Sequence, residues 1–127
     1  MTNTGKYEYI RLENGILSVQ RTNSIAKLLE EEFDSYVSMD ATLYGNTEIS
    51  IYAEEYRWPY QKPSLYCRSS WSERCEILYG KCIFTKWDMD SNRFLSLKES
   101  EKKTIFENLQ EWKSSNGEIR YEMKYEY

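Results

Sequence analysis

The chain has 127 residues, of which 40% are hydrophobic and 30% charged, and its formal net charge is -4 at pH 7. This composition is typical of one globular domain with a single hydrophobic core, and it argues against a disordered chain. General nucleic-acid binding relies on Lys and Arg that neutralise phosphates, so the acidic balance argues against it. We therefore predict one domain, residues 1–127, with no direct nucleic-acid partner.

The ends and the cysteines of the chain predict its compartment. The N-terminal residues lack the apolar stretch of a signal peptide, and no run approaches the length of a membrane span. Three cysteines in a C-x7-C-x6-C spacing match neither a disulfide framework nor a zinc site, and the chain has no His. We expect a cytoplasmic protein without membrane contact, with inert or buried thiols and with no metal or cofactor.

The first elements in chain order form a β-hairpin over residues 7–20. Asn14 and Gly15 both accept the positive φ of a type I′ turn, which is the strongest local hairpin signal. A two-residue loop pairs Leu12 with Leu17, and this register collects aliphatic side chains on one face.

A helix follows the hairpin. Asn23 or Ser24 can cap its N-terminus. The exposed face carries Glu30, Glu31 and Asp34, which are either solvated or presented to a cationic partner. The apolar stripe has helical spacing and consists of Ile25, Leu28, Leu29, Phe33 and Tyr36.

The middle of the chain predicts two strands separated by an irregular segment. Residues 48–54 alternate as a half-buried strand does. Residues 56–72 contain two prolines, which predicts a loop with a short edge strand near 65–68. Residues 75–87 are apolar on both faces, as in a central strand, where Gly80 produces a bulge or a tight hairpin.

The last third of the chain combines a helix and a strand. Ser96 and Glu99 have the spacing of a capping box. The helix they open carries an apolar stripe of Ile105, Phe106, Leu109 and Trp112. Residues 114–117 end that helix, and residues 118–127 alternate between apolar and charged side chains, which predicts a half-buried strand. The whole pattern predicts an α+β fold: a mainly antiparallel sheet of five to six strands with two helices packed on one face. A parallel crossover around either helix stays open as an alternative.

No motif in the chain predicts catalysis. Without His there is no ordinary general base at neutral pH and no Ser-His or Cys-His pair. Asp88, Asp90 and Asn92 resemble the start of a calcium loop, but the glycine that should follow is missing, which favours an Asx turn. We therefore expect a protein that is not an enzyme.

Aromatic and acidic side chains supply the candidate binding residues. Rings interleave with charges in the proline-bearing middle segment, a composition typical of binding hot spots. The alternative is that its Trp side chains pack beneath the loop as a satellite core. The predicted partner-binding residues are Glu30, Glu31, Asp34, Glu54, Glu55, Tyr56, Trp58, Tyr60 and Trp71.

In size, acidity and lack of catalytic motifs the chain resembles the immunity proteins of bacterial toxin–immunity systems, such as contact-dependent growth inhibition. That resemblance implies a small cytoplasmic protein that occludes a cognate toxin, such as a nuclease with a basic cleft. It rests on no specific motif, so no functional residue comes from it.

Two other functions stay open at this point. A phage-type inhibitor that mimics nucleic-acid charge needs acidic residues arranged in rows. A small enzyme or ligand-binding domain needs a Tyr-lined cavity with an enclosed carboxylate such as Glu76.

Overall fold

Nine strands and two short helices make up the part of the chain that the computed structural model describes, residues 5–43, 47–55, 62–69 and 75–125. The strands are β1 (Tyr7–Glu13), β2 (Ile16–Thr22), β3 (Tyr36–Leu43), β4 (Thr47–Glu54), β5 (Pro63–Ser69), β6 (Cys75–Asp88), β7 (Arg93–Leu95), β8 (Leu109–Lys113) and β9 (Ile119–Tyr125). The helices are α1 (Ile25–Glu32) and α2 (Glu99–Glu107). All nine strands belong to one sheet.

The long strand β6 organises this sheet, because four other strands pair with it. Phe84 lies between Ile10 of β1 and Ile51 of β4. Nearer the start of β6, Tyr79 lies between β5 and β4. β4 pairs with one edge of β6, and β1 and β5 pair with different parts of its opposite edge. The sheet therefore splits into two branches on that side of β6.

Each branch extends outward from β6. The β1 branch continues to β2, and the β5 branch continues to β9 and then β8. On the other edge β4 is followed by β3, while β7 pairs with the last residues of β6. The sheet curls into a half-barrel. It is mixed, because β5 and β9 run parallel while the remaining pairs are antiparallel. The prediction of a mainly antiparallel sheet of five to six strands was therefore too simple.

The two helices cover opposite faces of the sheet. Ile83 and Phe84 are consecutive residues of β6, so their side chains point to opposite faces. Ile25 and Leu29 of α1 pack in the cluster that contains Ile83, whereas Ile105 of α2 packs in the larger cluster that contains Phe84. The prediction that both helices pack on one face was wrong, because each face of β6 is apolar and each needs cover.

The predicted first hairpin is confirmed, including its register. Leu12 pairs with Leu17, and Asn14 and Gly15 have φ values of 53° and 77°. Both values lie in the left-handed region that a type I′ turn requires.

The predicted first helix is confirmed at its start and shorter at its end. Ser24 is the N-cap, and its Oγ accepts a hydrogen bond from the Lys27 N–H at 3.2 Å. The helix ends at Glu32, and Tyr36 already belongs to β3, a strand that the sequence pattern did not predict.

The second helix is also shorter than its apolar stripe suggested. Its N-cap is Lys98, whose N–H donates to Glu101 at 2.8 Å, while the Ser96 hydroxyl accepts a bond from the Glu8 N–H. Leu109 and Trp112 lie in β8, because this segment pairs with β9 instead of continuing the helix. Pairing with β9 prevails over the local helical period.

The central strand and its bulge are confirmed, but the proline-bearing segment differs from the prediction. β6 continues through Gly80, whose φ is +67°, and the register with β4 shifts at this point. β5 is an interior strand between β6 and β9, not an edge strand. Pro63 is tolerated because it is the first residue of the strand.

Candidate functional site

Four carboxylates collect where α1 ends and β3 begins, and we call this group the acidic corner. It consists of Glu30, Glu31, Asp34 and Glu55. The pairing of β3 with β4 brings in the last member: the Glu55 N–H donates to the Ser35 carbonyl at 3.2 Å, and the Ser35 hydroxyl donates to the Glu55 carboxylate at 2.9 Å. Two segments that are distant in sequence therefore meet beside Asp34.

The carboxylates of the acidic corner are exposed. Within the part of the chain that the structure describes, Glu30, Glu31 and Asp34 form no ion pair. Glu55 accepts only the bond from the neutral Ser35 hydroxyl among its described contacts. Because these four carboxylates form no ion pair within the described chain, their negative charge can attract a cationic surface.

Glu54, the remaining predicted acidic residue, lies away from the acidic corner. Its carboxylate lies above Gly80, where a Cβ atom would come within 3.2 Å of Glu54 Oε2. The structure therefore separates it from its neighbour Glu55. The predicted aromatic residues Tyr56, Trp58, Tyr60 and Trp71 lie outside the described residues.

Two apolar side chains that the sequence analysis missed lie next to the acidic corner. Tyr36 is 46% exposed and Val37 is 39% exposed, although both belong to β3. The Tyr36 ring packs edge-on against Tyr52 with its centroid 5.3 Å away. The ring is thus held in place and still presents nearly half its surface. Treating Tyr36 as the end of a helical stripe concealed this exposure.

A concave region lies where β1 and β5 leave β6, and we call it the branch cleft. It has a volume of about 590 Å³. The tip of the β1–β2 hairpin closes one side, where the Tyr121 hydroxyl donates to the Gly15 carbonyl at 3.2 Å. The described charged residues in its lining are Glu13, Glu54, Lys62, Lys81, Glu118 and Arg120.

The charges around the branch cleft neutralise one another. Lys62 Nζ lies 2.7 Å from Glu118, and Arg120 lies 3.2 Å from the same carboxylate. The Lys62 ammonium is the main reason that the pKa of Glu118 is lowered. A charged ligand that binds in this cleft must first break an ion pair such as Lys62–Glu118 before it can form an ion pair of its own.

One ion network ties α1 to the branch cleft. The Arg11 guanidinium donates to both carboxylate oxygens of Glu32, at 2.7 and 3.1 Å, and Lys81 Nζ donates to Glu32 at 2.9 Å. Chiefly the bond from Arg11 lowers the pKa of Glu32 to about 2, and the same bond raises the pKa of Arg11. The network joins the helix to β1 and β6.

Two of the three cysteines are unreactive thiols of the core. Cys67 and Cys82 are buried. Burial raises the pKa of the Cys67 thiol, and it raises the pKa of Cys82 to about 12. Both thiols stay protonated at neutral pH and are poor nucleophiles.

No protein-family model matches the sequence, and neither the comparison with curated proteins nor the comparison with solved structures finds a match. Among the described residues, no group of His, Cys, Asp and Glu side chains is arranged to hold a metal ion. Neither of the two described helices has the length and apolar character needed to cross a membrane.

Proposed function

We propose that this chain is a binding protein of the immunity type, which acts without catalysis by covering a basic surface of a cognate toxin in the cytoplasm. The acidic corner, together with Tyr36 and Val37, forms the contact surface. The observation that carries the proposal is that Glu30, Glu31 and Asp34 are exposed and unpaired among the described residues, while Glu32 beside them is fully engaged.

The physical logic is electrostatic complementarity. An enzyme that cleaves nucleic acid needs Lys and Arg to bind phosphates, so its active face is basic. Clustered carboxylates accelerate the encounter with such a face, and they disfavour acidic partners. Tyr36 and Val37 then supply apolar area, since interface energy concentrates in a few aromatic and aliphatic contacts.

The test is a growth assay in which the chain is co-expressed with the product of the gene immediately upstream of its own. We expect the chain to protect the cells and to co-purify with that product. A corner variant, Glu30→Lys with Glu31→Lys and Asp34→Lys, is expected to fold normally and to lose protection. Its affinity should fall by at least about 100-fold, because three attractive charges become repulsive.

A control variant separates this local effect from net charge. Glu48→Lys with Asp90→Lys and Glu107→Lys changes the same number of exposed carboxylates elsewhere on the molecule. This variant should protect the cells as the unaltered chain does. Equal loss of protection in both variants would contradict a role for the acidic corner. An upstream product that neither harms the cells nor binds the chain would contradict the immunity function itself.

The branch cleft favours a second candidate, binding of a small ligand, because its volume suits one. Its lining carries ion pairs such as Lys62–Glu118, which a ligand must first break. A charge mimic of nucleic acid is a third candidate, and it predicts salt-sensitive binding to a DNA-processing enzyme. Neither alternative makes use of the exposed Tyr36 and Val37 beside the unpaired carboxylates.

A further inference from the structure

The strand β3 presents a free edge beside the acidic corner. One edge pairs with β4, and within the described ranges no strand pairs with the other. Since the Ser35 carbonyl accepts from Glu55, the alternation of an antiparallel ladder turns the main chain of Val37 towards β4. The N–H and C=O groups of Tyr36, Ser38 and Asp40 then point outward.

This edge lacks the features that usually protect a sheet edge. Native edges are blunted by Lys, Pro, bulges or short length. β2 carries the exposed Arg21, and β8 has only five residues and includes Lys113. β3 has eight residues without Lys, Arg or Pro, and its register with β4 is unbroken. Its single charge, Asp40, accepts a bond from the Ser50 hydroxyl at 2.7 Å.

We propose that the partner contributes an extended basic segment that adds to β3 as a further strand, over Tyr36 to Asp40. This inference rests on the proposed function and names how the partner is held. Charge complementarity selects the occupant: the free edge begins two residues after Asp34, and Glu55 pairs with Ser35 at the same end. A Lys or Arg at the end of the added strand therefore meets carboxylates that have no cation in the described chain.

The two faces of β3 give the added strand its preferred pattern. Val37 and Met39 pair with Ala53 and Ile51, so they share the face of the larger core cluster. Tyr36 lies on the opposite face. An added strand with apolar side chains on the Val37 face and Lys or Arg at the end beside the acidic corner matches both surroundings. Main-chain bonds supply affinity in this mode, and alternate side chains supply specificity.

The experiment compares Ser38→Pro with Ser38→Ala. Proline at this position removes an outward N–H and leaves the ladder with β4 intact, and edge strands tolerate it there. The probe is a short synthetic peptide of alternating Thr and Val flanked by Lys, titrated while amide NMR spectra of the protein are recorded. We expect saturable shifts at the amides of Tyr36 and Asp40 in the unaltered chain and in Ser38→Ala. Binding should be at least about tenfold weaker in Ser38→Pro, because one main-chain bond is lost.

A second arm keeps the test decisive if Ser38→Pro does not fold. The same peptide with an N-methyl group on every residue cannot donate main-chain bonds from either edge, and it should not bind the unaltered chain. Equal binding of the methylated peptide, equal binding by Ser38→Pro, or no shift at Tyr36 and Asp40 would overturn the strand addition. A dimer of the unaltered chain that Ser38→Pro abolishes would assign the edge to a second copy instead.

The growth assay distinguishes failure of this inference from failure of the proposed function. Protection that is lost in the corner variant and retained in Ser38→Pro would leave the immunity function standing and rule out the strand addition. Loss of protection in both variants, with Ser38→Ala unaffected, is the result that we expect.

Discussion

The acidic corner and the branch cleft both carry charged side chains, yet they differ in what those charges contact. In the branch cleft, Lys62, Arg120 and Glu118 form a chain of ion pairs. In the acidic corner, Glu30 and Glu31 have no described counter-charge. The cleft is concave and is the first place to look for a ligand, but Lys62, Arg120 and Glu118 in its lining already pair with one another.

The contrast is sharpest between two consecutive residues. Glu31 is exposed and forms no ion pair with any described residue, whereas Glu32 accepts bonds from Arg11 and Lys81. The helical period separates them, because residues one apart lie on different faces of a helix. A count of acidic residues treats them alike, while the structure holds Glu32 in an ion network and leaves Glu31 exposed.

Among the variants that test this comparison, Glu32→Gln is expected to have the largest effect on stability. It leaves Arg11 and Lys81, each with only 15% of its side chain exposed, without a full counter-charge. We expect the free energy of unfolding to fall by about 2 kcal/mol, less than for a fully buried pair because the carboxylate still meets water. Glu31→Gln is the matched control and should change stability by less than about 0.5 kcal/mol. Urea denaturation measures both, and equal effects would contradict the distinction.

The pH dependence of stability should also show that Glu32 contributes to the fold. Because the folded state lowers the pKa of Glu32 from 4.5 to about 2, the unfolded chain takes up the proton first. The stability that Glu32 contributes is complete above about pH 5 and is lost as the pH falls towards 2. Urea midpoints measured across this range should fall less steeply for Glu32→Gln than for the unaltered chain. Parallel profiles would show that the network does not contribute.

The smallest effect is expected at the mouth of the branch cleft. Tyr121→Phe removes the hydroxyl that donates to the Gly15 carbonyl and keeps the buried ring. We expect a loss of about 1 kcal/mol in the free energy of unfolding. Amide exchange should become faster at the two hairpin tips, around Gly15 and Ile119, and stay unchanged at Tyr36. Faster exchange at Tyr36 would show that cleft and corner are coupled.

The parts of the fold that the sequence predicts correctly are those with a local cause. Asn14 and Gly15 specify a turn whose register follows from its length, and Ser24 specifies a helix start. The alternation of residues 119–125 also appears in β9, where Tyr121 and Met123 are buried.

The errors arise where distant pairing decides the structure. Leu109 and Trp112 have helical spacing, but β9 offers hydrogen bonds that turn the segment into β8. The parallel pairing of β5 with β9 joins segments more than fifty residues apart, such as Leu65 with Tyr121. No local pattern contains this information, so β5 looked like an edge.

The sequence predicted acidic residues of the candidate site, but it did not predict how the fold arranges them. Exposure of Glu30, Glu31 and Asp34 follows from the period of the helix that carries or precedes them. The arrival of Glu55 depends on the pairing of β3 with β4, a strand that the sequence analysis missed. The free edge of β3 was missed for the same reason.

The most direct measurement of the central claim is the affinity of the purified complex with the upstream gene product, determined by calorimetry for two variants side by side. The corner variant should bind at least about 100-fold more weakly than the unaltered chain. Lys62→Gln, which disrupts the ion pair at the rim of the branch cleft, should bind within about twofold of it. The opposite outcome, with affinity lost in Lys62→Gln and kept in the corner variant, would place the partner in the cleft and contradict the account.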